Sequence, residues 1–445
     1  MKYTRKFLAL FGAYSFVFFA SVAVSYAATI TASSCSLSDV QSAISSASSG
    51  DIVIVPAGSA TWSTALSITK GITLQGAGID STTITSSGGS QMIKYEPETP
   101  ASNEKFRLTG FTLNGNSRSV TGLYVTHNSA TATLNDIRVD HNKIIGCSAE
   151  AISFNGMIYG LIDNNTLSNN NGVFRIMGIH DPSWNDPLQI GTANYLYIEN
   201  NIMSNNAWMM LSGWGARWVF RYNTGVLGAI GSLGMLDAHG NLPQPGYPTC
   251  NVTGIRGVVG IEVYENTFTG LTRPTRVLDQ RGGTGVVFNN VVSEAVPGTY
   301  SACNVILDVR EEDDDPALDG CSPYKADYPG YDPVKDSYYF NNKYNSDRMC
   351  FVNYDQSVMI VPKQDIWVDT NSWAQTDSGY VRWGLASGRP GTCTAQDVYW
   401  ESDTKKLYRC TATNTWTFIY APYTYPHPLS LRNPSPPKNL KIASH

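Results

Sequence analysis

Three short strings, Asp237-Ala238-His239, Asp279-Gln280-Arg281 and Asp308-Val309-Arg310, each place a basic side chain two positions after a carboxylate. In an extended strand that spacing puts both side chains on one face. Each string follows a leucine (Leu236, Leu278, Leu307). Three earlier segments share the apolar-first shape: Ile152-Ser153-Phe154-Asn155, Met177-Gly178-Ile179-His180 and Leu211-Ser212-Gly213-Trp214. Stacked as one strand on six coils, they predict an outward column of Ser153, Gly178, Ser212, Asp237, Asp279 and Asp308. Its neighbour would be Asn155, His180, Trp214, His239, Arg281 and Arg310. Three aspartates stacked at about 4.8 Å repel one another in a partly dry cleft, so something must offset them. Three devices would serve: an arginine ladder through Arg276, Arg281 and Arg310, a Ca²⁺ among Asp237, Asp279 and Asp308, or one aspartate kept protonated.

The elements that would hold such columns are legible in a second pattern. Apolar alternation ending in asparagine recurs at Asn142, Asn165, Asn201, Asn223, Asn266, Asn290 and Asn342, at separations of 23, 36, 22, 43, 24 and 52 residues. A bare unit of 22 to 24 residues without helices predicts a parallel β-solenoid, in which asparagines at each turn form a ladder and tolerate a left-handed backbone. From the second position of each string to the next asparagine the separation is 12, 23, 11, 29, 11 and 34 residues. The three long values place every insertion at one corner, after His180, His239 and Arg310. Insertions confined to one corner build one wall of a groove. Trp184, Trp214, Arg256 and Glu262 are candidate groove residues on this ground, and the acidic run Glu311 to Asp315 reads as a solvated turn.

Asp51-Ile52-Val53-Ile54-Val55-Pro56-Ala57-Gly58 and Ile72-Thr73-Leu74-Gln75-Gly76-Ala77-Gly78 resemble the first coils of the pectate-lyase-like right-handed parallel β-helix superfamily, and the likeness covers roughly residues 35 to 345. The resemblance implies an all-β fold and a polysaccharide substrate. A uronate polymer cleaved by β-elimination needs a base and facing positive charge. His239 suits the base, and Arg281 and Arg310 suit the neutralising groups, with Arg276, Arg256, His180, Trp184, Trp214 and Glu262 contacting substrate. Similar lyases use arginine or lysine as base with acidic residues on calcium, which makes Arg281 the second candidate base. The superfamily also holds glycosidases with paired aspartates, for which Asp237 and Asp279 are the pair. A non-catalytic polysaccharide-binding or adhesin role is the third reading. No organic cofactor is implied.

With 31 Lys and Arg against 36 Asp and Glu, a net charge of −5 excludes the basic stripe of a nucleic-acid binder. Lys2, Arg5 and Lys6 before the apolar run Phe7 to Val24 and Ser25-Tyr26-Ala27 predict a signal peptide of residues 1–27, hence secretion, with no transmembrane segment and a monomer expected. Residues 28–385 read as the β-helix, with Leu37 to Ala47 an amphipathic helix capping its open end. Residues 386–430 read as a disulfide-stapled aromatic hairpin acting as a lid on the last coil, and 431–445 as a loose tail. Tyr423-Thr424-Tyr425-Pro426-His427-Pro428-Leu429 resembles the closing tail of bacterial β-helix proteins. Among the eight cysteines, Cys393 with Cys410 and Cys303 with Cys321 are the expected bridges. Cys35, Cys147, Cys250 and Cys350 are left unassigned.

Overall fold

The computed structural model describes residues 27–100, 105–127, 129, 131–179, 183, 184, 186–228, 234–240, 256–299, 303, 305–310, 333–353, 360–369 and 381–431. The signal segment before Ala27, His180, Cys250, Glu311 to Asp315, Cys321 and the tail after 431 lie outside the described residues. The chain is a right-handed parallel β-helix. Each coil contributes a strand to three sheets in turn, as in Ile158–Asp163 (sheet I), Thr166–Ser168 (sheet II) and Gly172–Met177 (sheet III), before Leu196–Glu199 re-enters sheet I. Among the described residues sheet I has 12 strands, sheet II 11 and sheet III 10. The helix Leu37–Ser46 caps the N-terminal end; the Ser36 hydroxyl accepts from Asp39 N–H at its start, and Val40, Ala43 and Ile44 face the core. No helix among the described residues is long and apolar enough to cross a membrane.

Seven asparagines at the turn between sheets I and II hold the coils in register. Each Nδ2 donates to the Oδ1 of the next, from Asn142 through Asn165, Asn201, Asn223, Asn266 and Asn290 to Asn342, at 2.8–3.2 Å. The same Oδ1 also accepts the backbone N–H of the asparagine before it, as Asn201 does for Asn165 at 3.0 Å. The left-handed residue is the one preceding each ladder position (His141, Asn164, Asn200, Tyr222, Glu265, Asn289, Asn341), with φ between 51° and 58°. The ladder asparagine is therefore selected for its buried amide and not for the turn's backbone. A second, shorter ladder joins Asn170 to Asn206 at the turn between sheets II and III (Nδ2 to Oδ1 3.2 Å), which the repeat had not disclosed.

The outer face of sheet I is covered. Tyr197, Tyr264, Phe288, Phe340 and Trp367 pack there against Trp400, Tyr420 and Leu429 from the C-terminal region. The four-stranded sheet built by Val381–Gly384, Val398–Glu401, Lys406–Ala412 and Thr415–Tyr420 begins inside the segment assigned to the solenoid. It lies on this face, with Trp400 4.9 Å from Phe288, where a lid across the last coil was expected. The following residues strap back across earlier coils. Arg221 donates to the carbonyls of Tyr423 and Thr424 at 2.7 and 2.9 Å and pairs with Glu199 at 2.6 Å, and Glu199 accepts His427 N–H at 2.9 Å.

Glu262 belongs to this contact and not to a groove, which corrects the sequence reading. Its outward direction was legible, but it is fully buried, accepting Gly191 N–H at 2.7 Å and the Tyr420 hydroxyl at 2.5 Å. A further correction concerns the cysteines. Cys303 is bonded to Cys350, because Val305–Val309 and Cys350–Asn353 are adjacent strands of sheet III and the two Cα atoms lie 5.0 Å apart across 47 residues of intervening coil. Cys393–Cys410 forms as expected, and Cys35 and Cys147 are buried thiols.

Two predictions follow from these contacts. Asn201→Ala removes the acceptor of two Asn165 donors and should cost about 3 kcal/mol, read as a lowered denaturant midpoint relative to wild type prepared in parallel. Burial pushes the Glu262 carboxyl up to about 7, against the hydrogen bonds from Tyr420 and Gly191 that favour its ionised form. A raised folded pKa means that its contribution is fully present below the unfolded value near 4.5 and is lost as pH rises through about 7. Glu262→Gln should flatten that loss, worth on the order of 3 kcal/mol, in melts recorded between those two pH values.

Candidate functional site

Sheet III carries the candidate site on its outer face, because the strands Leu236–Ala238, Thr275–Gln280 and Val305–Val309 stack in register. Leu236, Leu278 and Leu307 point into the core, and Asp237 pairs with Asp279 and Asp279 with Asp308 across the coils. The three expected aspartates are thus neighbours. The next outward position holds His239, Arg281 and Arg310, whose backbone N–H groups continue the ladder onto Ser212, Ala238 and Gln280 at 2.9, 2.9 and 3.1 Å.

On the earlier coils the columns differ from the reading above. The aspartate column continues through Leu211, Arg175 and Ser153, not Ser212 and Gly178. The basic column continues through Gly213 and Met177 to Asn155, so Trp214 stands one residue past it and His180 lies outside the described residues. Ser212 is inward and accepts from the Trp218 indole at 2.9 Å. Exposed Arg175 is therefore a groove-face cation that the pattern missed; its signal was the inward pair Phe174 and Ile176 flanking it.

The insertion corner is as counted. Chain lengths between sheets III and I are long after Met177, Ala238 and Val309, and short after Gly213 and Gln280. Arg217 of sheet I clamps the first insertion, donating to the carbonyls of Ser183, Asp186 and Pro187 at 2.6, 2.9 and 2.7 Å. This fixes Trp184, whose indole donates to Gly257 O at 3.0 Å and whose ring lies 4.9 Å from the Arg256 guanidinium. Arg256 O accepts Trp214 N–H at 2.6 Å, and Trp214 itself has φ 59°. A left-handed tryptophan costs about 1–3 kcal/mol and persists only where its surroundings hold it. Trp184, Trp214 and Arg256 are in this way joined on one wall, and Gly213 lies beside His239 in the neighbouring coil.

Each arginine reaches back one coil. Arg281 Nη2 donates to Asp237 Oδ1 at 2.5 Å and lies 2.9 Å from His239 Nε2. Arg310 grips Asp279 with two bonds, Nη2 to Oδ2 at 2.7 Å and Nε to Oδ1 at 3.2 Å. Arg276 lies 3.4 Å from Asp279 and 3.6 Å from Asp308. The diagonal stagger leaves Asp308 at the end of the row. Its side chain is fully buried and neither oxygen has a hydrogen-bond partner, so burial, with the Asp279 charge beside it, raises its pKa well above the usual carboxylate range despite the arginines. Asp237 goes the other way: burial opposes ionisation, but the His239 hydrogen bond and the Arg281 charge outweigh it and lower the pKa.

Three guanidiniums, Arg276, Arg281 and Arg310, face three aspartates, and burial beside Asp279 disfavours the charged form of Asp308, which tilts the balance toward positive charge. Asp237 Oδ1 and both oxygens of Asp279 are held by guanidiniums, Asp308 is sealed beneath them, and among the described residues no three His, Cys, Asp or Glu side chains converge. His239 Nε2 lies 3.2 Å from Asp237 Oδ2 as well as beside Arg281. One contact suits the protonated ring and the other the neutral ring.

No family model matches this chain, and no curated protein matches it. Among solved structures it is similar to an alginate lyase from Paenibacillus sp. strain FPU-7, at 14% identity over 79% of this chain and 97% of that one, with TM-score 0.42. It is also similar to the A-module of the mannuronan C-5 epimerase AlgE6 from Azotobacter vinelandii (13%, 77% and 93%, TM-score 0.45). A third is the catalytic unit of the GH87 alpha-1,3-glucanase from Streptomyces thermodiastaticus strain HF3-3 (15%, 80% and 71%, TM-score 0.41). Likenesses of this degree carry no functional argument, and the parallel β-helix stands on the strand pairing described above.

Proposed function

We propose that this protein is a secreted polysaccharide lyase that cleaves a uronate-containing polymer by β-elimination at the His239, Arg281 and Arg310 cluster. The observation that carries the reading is His239 Nε2 set between a cation and an anion, 2.9 Å from Arg281 and 3.2 Å from Asp237, on a face that also carries Arg276 and Arg310. A general base must exist in both states, and this nitrogen has a partner for each: Arg281 donates to its lone pair, and Asp237 accepts from its proton. Arginine stays charged in proteins, which favours His239 over Arg281 as the base.

In the proposed step the substrate carboxylate lies against Arg310 and Arg276, both about one-third exposed at the side chain (29% and 31%). His239 takes the proton alpha to that carboxylate, and the guanidiniums stabilise the charge that moves onto it. The electron pair forms the ring double bond as the glycosidic C–O bond breaks, and the imidazolium returns its proton to the departing oxygen. Trp184 and Trp214 offer aromatic faces for adjoining sugar rings on the insertion wall. Calcium has no part in this scheme, because arginines do its work.

A panel of acidic and neutral polysaccharides, followed at once by ultraviolet absorbance of a new double bond and by reducing ends, tests the reading. Lyase action gives both signals, and chelator leaves the rate unchanged. Reducing ends without absorbance would assign Asp237 and Asp279 to hydrolysis, and no product from any polymer would leave a binding protein. His239→Ala should lower kcat by about 10²- to 10⁴-fold. Arg310→Met should raise KM as well as lower kcat, since it removes the carboxylate contact and releases Asp279. Asp308→Asn should lower turnover far less than His239→Ala, because Asp308 is buried and hydrogen-bonded to no group of the cluster; a loss as large as that of His239→Ala would show that its charge is needed.

A further inference from the structure

A second cavity, of about 730 Å³, lies away from the arginine cluster, between the last coil and the C-terminal sheet. Arg348 comes to it from the strand Asp347–Arg348 at the end of sheet II, Lys363 and Asp369 from the segments flanking Ile366–Val368 of sheet I, and Trp383 from Val381–Gly384. No residue of the candidate active site contributes. The volume is within the usual range for a small-ligand site, which needs an apolar platform and a few placed polar groups.

Both are present. Trp383 is 37% exposed, a large apolar ring left open on a folded sheet. The Arg348 guanidinium stands 5.0 Å from the centre of that ring and donates to the backbone carbonyl of Asp369. The carboxylates at the cavity are already used: Asp397 pairs with Arg382 at 3.2 Å and accepts Thr394 N–H at 3.0 Å, while Asp369 is buried and accepts Asn341 N–H at 2.6 Å. The Arg348 charge favours the ionised form of the nearby Asp369 carboxyl, and Lys363 stands at the same cavity. Three cations, Arg348, Lys363 and Arg382, against the two carboxylates Asp369 and Asp397 beside a part-exposed indole suit a ligand that is flat and apolar on one face and anionic at its edge.

We infer that this cavity is a non-catalytic binding site for an acidic saccharide, with a sugar ring stacked on Trp383 and its carboxylate held by Arg348 and Lys363. The substrate class rests on the uronate reading of the groove, but the two sites share no residue. The C-terminal sheet would then be a built-in polymer-holding module that keeps a long acidic chain near the cleft.

Binding of short oligouronates, with neutral oligosaccharides of equal length as control, tests this by calorimetry on full-length protein. Two sites are expected for the acidic ligand, weakened by salt. Trp383→Ala or Arg348→Met should weaken one of them by about ten-fold or more, leaving the other intact, whereas Arg281→Ala should affect only the other. Trp383→Phe, which keeps an aromatic face, should retain most of the affinity and guards against loss through misfolding. Turnover of short substrates should be unchanged in Trp383→Ala, while KM for the polymer rises. A single site that disappears in Arg281→Ala and is indifferent to Trp383 and Arg348 would overturn the inference while preserving the groove reading. A single site sensitive only to Trp383 and Arg348 would support the inference and count against the groove. Equal binding of neutral and acidic ligands would overturn the assignment of the cations.

Discussion

A buried side-chain amide that both gives and receives along the stack is what the rest of this molecule depends on. Seven asparagines, nearly all without solvent contact, tie coil to coil and also satisfy the backbone groups of the turn. Because each amide meets its counterpart on the next coil, the strands that follow are forced into register. The strands of each coil therefore stand above those of the coil before, whatever the length of the loop between them. Asp237, Asp279 and Asp308 become neighbours through this constraint alone, although 42 and 29 residues separate them in sequence. The charged cluster is a consequence of the ladder, and the diagonal reach of Arg281 and Arg310 then holds Asp237 and Asp279 while leaving Asp308 without a hydrogen-bond partner.

Sheets I and III use their outer faces differently. On sheet I, buried carboxylates are each held by arginine, Asp140 by Arg107 and Arg138, Asp163 by Arg138 and Glu199 by Arg221, and the returning chain hydrogen-bonds to Arg138, Arg221 and Glu199. Full pairing there leaves nothing for a ligand. On sheet III the pairing is uneven, since Arg281 and Arg310 hold Asp237 and Asp279 while Asp308 has no hydrogen-bond partner and only a 3.6 Å approach from Arg276. Burial of a charge is costly in either place; only on sheet III can an incoming anion relieve it.

How far this was legible in the sequence depended on the distance over which each signal acts. The asparagine period is a local signal repeated seven times, so fold, coil length and insertion corner were readable. The last three rungs of the groove column were readable from the leucine that opens each one and the basic residue two positions after its aspartate. On the earlier coils an apolar residue, Met177 or Leu211, was taken as the inward starting point, whereas the strands place Phe174 and Met210 there and shift the column. Alternation alone cannot distinguish these registers when both faces carry apolar side chains. Glu262 and Cys303 were misassigned because their partners, Tyr420 and Cys350, are 158 residues away in one case and a whole coil away in the other. The pairing of Arg348 with Trp383 had no sequence signal, since it arises where two modules meet.

The strap over sheet I gives the chain a direction in time. Residues 420–430 touch Glu262, Arg221, Glu199 and Arg138 in order, running from later coils back to earlier ones. All four are translated well before the segment that covers them. A nascent solenoid can stack its coils as they emerge, yet it carries an open row of charge and aromatic surface until this segment arrives. Closure thus reports that every preceding coil is present and in place, and a chain that stalls early remains marked by the surface it has not covered.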